Sequence, residues 1–256
     1  MPAELNLEQL RASVSGTRWQ RVDVVDDTGS TNADLVARAA AGEDIAGAVL
    51  LAEHQNAGRG RHGRTWSAPP RSQISMSFGV STAGVSPDAW GWLPLVTGLA
   101  VLDAVREAGV DAGLKWPNDV LVGDRKLAGI LAEVAGSAIV VGIGLNVSLT
   151  EDELPDPRAV SLGMLGIDVD RTALAGALLQ ALDRRLTRWL ADYDGLADDY
   201  RRVSTTIGSR VRALLPGDCE IIGMAKGIDD SGRLLIDTGE STVTVSAGDI
   251  THLRPA

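Results

Sequence analysis

Apolar residues recur along this chain with two periods, and the switches between them mark its elements. "GAVLLAEHQ" (Gly47 to Gln55) is a nearly continuous apolar run of strand length, and Ile74, Met76, Phe78 and Val80 alternate with polar or small residues, the signature of a second strand. Between the lead strand "RWQRVDVVDD" and the first of these, Leu35, Val36, Ala39 and Ala40 fall on one face of a helix, with Ser30, Thr31 and Asn32 where its N-cap belongs. A short helical lead-in precedes them. An apolar helix is predicted from Trp90 to Gly109, then three β-rich runs separated by turn signals at Pro117-Asn118-Asp119, Gly123-Asp124 and Gly136-Ser137. An amphipathic helical region spans roughly Arg171 to Arg202. From Gly208 the texture changes to short strands with polar, Gly-rich turns, the pattern of a small β-barrel. Strands and helices do not alternate regularly upstream, so the larger part reads as α+β with a mixed or antiparallel sheet. The boundary is placed near Thr206, giving domains 1–206 and 207–256.

Composition narrows the function. The 256 residues are 45% hydrophobic and 23% charged, with a net charge of −10. No apolar run reaches the roughly 18 residues of a membrane span, and the N-terminal stretch has no signal-peptide core, so a soluble, cytoplasmic protein is expected. The acidic balance argues against generic binding to nucleic acid or anionic lipid. A single cysteine, Cys219, excludes an internal disulfide and reads as a small core residue.

One region breaks the acidic pattern. Between Glu53 and Asp88 there is no acidic residue, whereas Arg59, Arg61, His62, Arg64 and Arg71 fall inside it. Gly58, Gly60 and Gly63 have the G-x-G-x-x-G spacing of a dinucleotide-binding turn, but no helix follows, and Phe78, Gly79 and Val80 occupy the place of the ribose-binding acid. The arginines explain the glycines differently. Glycine admits close backbone approach and arginine supplies a permanently charged fork, so "GRGRHGR" is built as a clamp for a small anion. Further along, "KWPND" places an amide and a carboxylate after a Trp-Pro bend. "RKLAGILAE" sets Lys126 at a strand start, and "VGIGLNV" sets Asn146 at a strand end, with Gly142 and Gly144 leaving space beside it.

In order, Ser-Thr-Asn, Gln55, "AGRGRHGR", "KWPND", "KLAGIL" and "GIGLNV", followed by the small β domain, resemble the biotin protein ligases from about Trp19 to Arg254. The resemblance implies a catalytic domain like that of class II aminoacyl-tRNA synthetases and a C-terminal SH3-like barrel. It implies activation of biotin by MgATP to biotinyl-5′-AMP, then transfer to one lysine of a biotin carboxyl carrier domain of a carboxylase. Lys126 and Arg61 match the family's catalytic positions. Ser30, Thr31, Asn32, Gln55, Gly58, Arg59, Arg61, Lys126, Gly129 and Gly142 match its biotin site. Arg61, His62, Arg64, Trp66, Asn118, Asp119, Lys126, Asn146 and Arg254 match its ATP site, with Asp119 the candidate Mg²⁺ ligand. Fewer than about 20 residues precede the matching pattern, whereas the helix-turn-helix domain of many members needs about 50, so no repressor activity and no nucleic-acid partner are expected. Monomer and homodimer are both compatible with the sequence. A lipoate ligase would share the fold and the adenylation chemistry, but not "GRGRHGR".

Overall fold

The computed structural model describes residues 2–191, 193–215, 219–246 and 249–252. After α1 (Leu7–Ser13), β1 (Arg21–Thr28) leads into α2 (Thr31–Ala40), which crosses over to β2 (Ala48–Gln55), parallel to β1. β3 (Gln73–Ser81) pairs antiparallel with β2 on one side and, over nine residues, with β7 (Ala138–Asn146) on the other. β4 (Gly113–Lys115), β5 (Asp119–Val122) and β6 (Arg125–Ala135) complete a seven-stranded mixed sheet in the order β1-β2-β3-β7-β6-β5-β4. The region expected to hold three β-rich runs therefore holds four strands. The first is only three residues long, too short to leave a period of its own.

The alternation read in β3 divides the sheet into two chemical faces. Ile74, Met76, Phe78 and Val80 join Val141, Ile143 and Leu145 of β7 in the main core, under α3 (Leu93–Glu107) and α4 (Arg171–Ala191). The helix expected from Trp90 begins with a 3-10 turn, Pro87–Trp92, before α3. The amphipathic region to Arg202 breaks into α4 and α5 (Tyr193–Val203). On the opposite face, α2 covers one end of the sheet through Leu35, which packs with Leu50 and Val140. Apart from Ala52 and Leu131, the central part of that face is polar or bare. Gln73, Ser75 and Ser77 of β3 pair in register with Asn146, Gly144 and Gly142 of β7, and Gly129 of β6 pairs with Gly144. Burying hydroxyls and amides costs free energy unless they are bonded, so such a face calls for an explanation other than core packing.

A five-stranded antiparallel sheet, order β11-β10-β9-β8-β12, follows: β8 (Arg210–Leu215), β9 (Cys219–Ile228), β10 (Leu234–Asp237), β11 (Thr242–Val245) and β12 (Asp249–His252). Val211, Ala213, Ala225, Leu234, Ile236 and Ile250 supply its inner side, as in a small SH3-like barrel. Two tryptophans fasten it to the larger sheet: Trp92 Nε1 donates to Asp230 O at 3.1 Å, and Trp116 Nε1 to Gly232 O at 3.0 Å. Cys219, expected in a core, is exposed at the first residue of β9, at the end of the strand. Among the described residues no helix is long and apolar enough to cross a membrane.

Candidate active site

The polar face of the sheet carries a continuous hydrogen-bonded chain. Ser30 caps α2, its Oγ accepting from Ala33 N at 3.4 Å, so that Thr31 and Asn32 in the first turn face the sheet. Thr31 N donates to Gln55 Oε1 at 2.8 Å, and Thr31 Oγ1 lies 3.1 Å from the same oxygen and 2.7 Å from Ser77 Oγ. Ser77 Oγ donates to Asn32 Oδ1 at 2.6 Å, and Asn32 Nδ2 donates to Glu133 Oε2 at 2.8 Å and Leu131 O at 3.2 Å. Arg59, from the basic loop, donates to the same Glu133 Oε2 at 3.2 Å. Gly142 makes this possible: a Cβ there would fall 2.2 Å from Asn32 Oδ1. Of the residues singled out in the sequence, Thr31, Asn32, Gln55 and Arg59 lie on this chain, with Ser30 at the helix cap and Gly142 beside Asn32; Ser77 and Glu133 were not singled out. The signal for Ser77 was present, since it occupies a polar slot of the β3 alternation and is fully buried.

The basic loop folds back on itself. Arg59 bridges Thr65, Gly60 N donates to Arg64 O at 2.7 Å, and Trp66 N donates to Gly58 O at 2.8 Å. The left-handed residues of its turn are His62 (φ 55°) and Gly63 (φ 73°); the second is a conformation glycine adopts without strain. His62 and Arg64 are exposed at the tip, whereas Trp66 turns inward. The loop does not act as one basic cluster. Arg71 points away from it, to Glu4 at 2.5 Å, while Arg61 Nη1 reaches Asn118 Oδ1 at 3.3 Å.

A second group of charges stands at the other end of the bare face. Lys126 Nζ is 2.6 Å from Asp119 Oδ1, a contact with the distance of an ion pair but without hydrogen-bond angles, and it sits 5.5 Å from the centroid of the Trp66 ring, within cation–π range. Asn118 is held by Ile130 on both sides, Nδ2 donating to Ile130 O at 2.8 Å and Asn118 O accepting from Ile130 N at 3.0 Å, which leaves Oδ1 to Arg61. Lys126 N donates to Arg158 O at 2.6 Å, and the Arg158 guanidinium, bonded to Asp156, holds that carboxyl below its ordinary range. Asn146, matched to the nucleotide site, spends its Nδ2 on the carbonyls of Val160 at 3.1 Å and Lys126 at 3.4 Å, so its side chain ties β7 to the strand start that carries Lys126. Arg254 lies outside the described residues.

No three His, Cys, Asp or Glu side chains among the described residues gather as a metal cage. Asp119 stands as a lone carboxylate beside a lysine, a donor set suited to a cation brought by a triphosphate and not to a resident metal.

Residues 30–149 match the Biotin/lipoate A/B protein ligase family, and residues 206–253 match the Biotin protein ligase C terminal domain. The biotin–[acetyl-CoA-carboxylase] ligase of Mycobacterium tuberculosis is 55% identical over 94% of this chain and 92% of its own. The bifunctional ligase/repressor of Escherichia coli is 35% identical over 91% of this chain and 73% of its own. In structure, the biotin protein ligase from Aquifex aeolicus in complex with biotin and ATP superposes with a TM-score of 0.79, at 27% identity, over 92% of this chain and 100% of that one. The order of motifs, the two-sheet architecture and these likenesses agree, and the chain belongs to the biotin protein ligase family.

Proposed function

We propose that the protein is a biotin–[acetyl-CoA-carboxylase] ligase. It activates biotin with MgATP and passes it to a lysine of a carrier domain, with residues 1–206 forming the catalytic domain and 207–256 the small C-terminal domain. In the first step a biotin carboxylate oxygen bonds to the α-phosphorus of ATP and pyrophosphate leaves. In the second, the lysine amine bonds to the acyl carbon, AMP leaves and the amine loses a proton.

The observation that carries this reading is the buried hydrogen-bonded chain from Gln55 to Glu133. A site for a saturated hydrocarbon or a dithiolane ring would have no use for it, since unmatched polar groups are a penalty against apolar ligands. A ureido ring, with donors and an acceptor on one rigid edge, matches it. Gln55, through its Nε2, together with Ser30, Thr31 and Asn32 binds that ring, and Gly58, Gly129 and Gly142 line the pocket, admitting Trp66, Lys126 and Asn32 close to the backbone. Arg59, Arg61 and Lys126 face the joined anions of carboxylate and phosphate, where charge builds up in the transition state and fixed cations lower the barrier most. His62, Arg64, Trp66, Asn118, Asp119 and Asn146 surround the nucleotide, and the family resemblance assigns Arg254 to the same ligand. Mg²⁺ arriving with the triphosphate supplies further charge neutralisation, with Asp119 the carboxylate placed to meet it. The acceptor is the carrier domain of a biotin-dependent carboxylase in the cytoplasm, with no role for nucleic acid.

Mass spectrometry after incubation with ATP and biotin, lipoate or octanoate tests the reading. Biotinyl-AMP alone is the expected product; a lipoyl adenylate in equal yield would overturn it.

A further inference from the structure

Glu133 ends the run "RKLAGILAE", two residues beyond "KLAGIL", and is given no role there, yet both halves of the site converge on one of its oxygens. Oε2 accepts from Asn32 Nδ2 at 2.8 Å and from Arg59 Nη2 at 3.2 Å. A carboxylate only accepts, and so does Leu131 O, which fixes the Asn32 amide with its nitrogen toward β6 and its oxygen toward Ser77. Asn32 Oδ1 in turn can only accept, so the Ser77 hydrogen is committed to it. Thr31 must then be the donor in its 2.7 Å contact with Ser77, its one hydrogen lying between Ser77 Oγ and Gln55 Oε1. The side-chain hydrogens of Asn32, Ser77 and Thr31 therefore run toward Glu133, and the Gln55 amide is set from the other side, by the Thr31 backbone. Thr31 N donates to Gln55 Oε1, which leaves Gln55 Nε2 as the outward donor, beside Gly58 at the root of the basic loop.

Resting on the biotin reading above, we propose that Glu133 is a positioning residue: it sets the donor direction of the Asn32–Ser77–Thr31 chain behind the ligand ring, and through Arg59 it tethers the basic loop beside the same ligand. One side chain then couples the two. The ring edge is read correctly only when the amide of Asn32 is held in one orientation, and the loop that brings Arg61 to Asn118 is anchored at the same point. Removing the carboxylate leaves the Asn32 nitrogen only its longer bond to Leu131 O, at 3.2 Å, to hold the amide in its orientation. Replacing it by an amide keeps an acceptor for Asn32 and loses the charge that holds Arg59.

The test compares Glu133→Ala and Glu133→Gln with the wild-type protein in steady-state adenylation and in limited trypsin digestion of the ligand-free protein, where Arg59, Arg61 and Arg64 are the cleavable loop sites. Glu133→Ala is expected to raise the KM for biotin about 10- to 100-fold, the worth of a charge-assisted hydrogen bond, and the KM for ATP by a smaller factor, since the loop it also loosens stands beside the nucleotide. Glu133→Gln is expected to recover most of the biotin KM, while its loop is cut as fast as that of Glu133→Ala and faster than wild type. An unchanged biotin KM in Glu133→Ala, an equal rise in the ATP KM, or a Glu133→Gln that matches Glu133→Ala in KM would each overturn the proposal. If the wild-type protein itself forms no biotinyl-AMP, it is the functional reading that fails. The trypsin rates then decide the tether alone: faster cutting in both variants upholds it, equal rates overturn it.

Discussion

Gly144 and Trp66 share one space: a Cβ on Gly144 would fall 2.3 Å from Cε2 of the indole, which is held in place by its Nε1 donating to Gln73 Oε1 at 2.6 Å. The glycine is there because the indole lies flat on the strand, and the indole ends the basic loop. Gly144→Ala must therefore lift Trp66 off β7. Overpacking of this kind costs about 1–3 kcal/mol. The expected result is a loss of that size in urea unfolding, together with a raised KM for biotin and ATP because the loop no longer seats. Full stability with unchanged kinetics would show that the indole does not define the closed loop.

Lys126 and Asp119 form the second relationship on which the chemistry depends. Both side chains are partly open to solvent, at 33% and 22% exposure, so the pair itself contributes little to folding. Its value lies in the transition state. Lys126→Ala is expected to lower kcat for adenylate formation by about 100- to 1000-fold, the usual effect of removing one preorganised charge-stabilising group, with a melting temperature near that of the wild type. A lowered melting temperature with normal turnover would make the lysine structural.

The pair of Arg171 and Glu53 is of the opposite kind. Each side chain is only 4% exposed, and Glu53 also accepts from Leu5 N at 2.5 Å, while Arg171 Nη1 donates to Arg71 O at 2.7 Å. Taking one partner away strands a buried charge, at a cost of about 3–5 kcal/mol. Arg171→Leu is expected to lose that much in chemical denaturation with biotin KM unchanged in the molecules that remain folded, and Glu53→Leu in the same background to recover part of the loss. Additive losses in the double variant would show that the two residues are not coupled.

His252 gives the fold a pH dependence of definite sign. Burial first, then the positive charge of Lys115, hold its imidazole below the ordinary value of 6.5. As pH falls, the unfolded chain takes up this proton before the folded one does. The contribution to stability is therefore whole above about pH 6.5 and is lost as pH drops below it toward the folded value. Nε2 stands 3.1 Å from Thr206 Oγ1, which itself accepts from Trp116 N at 3.0 Å, so the loss falls on the contact between the small sheet and the "KWPND" loop. Melting temperatures between pH 7 and 5 should decline less in His252→Asn than in the wild type; parallel curves would remove His252 from the account.

The period-2 alternation of β3 was legible because one face lies on the main core, and the unbroken apolar run of β2 because both faces are covered, Val49 and Leu51 in the main core and Ala48 and Leu50 under α2. Gln55, Thr31 and Gly142 were legible as motif residues. Glu133 was not, because its importance comes from where β6 lies against α2, a distance of about a hundred residues along the chain that no local pattern records. Asn146 shows the reverse limit. Its motif suggests a ligand contact, and its amide is bonded to two backbone carbonyls. The short β4 and the break between α4 and α5 were missed because three residues, or one change of helix direction, leave the surrounding period intact.

The central claim is that the polar face and the charges beside it form an adenylating site for biotin. Isotope exchange between pyrophosphate and ATP measures that step alone, without a carrier protein. The exchange is expected to require biotin and Mg²⁺ together and to stay at background with lipoate; background exchange with biotin, or equal exchange with lipoate, would contradict the account.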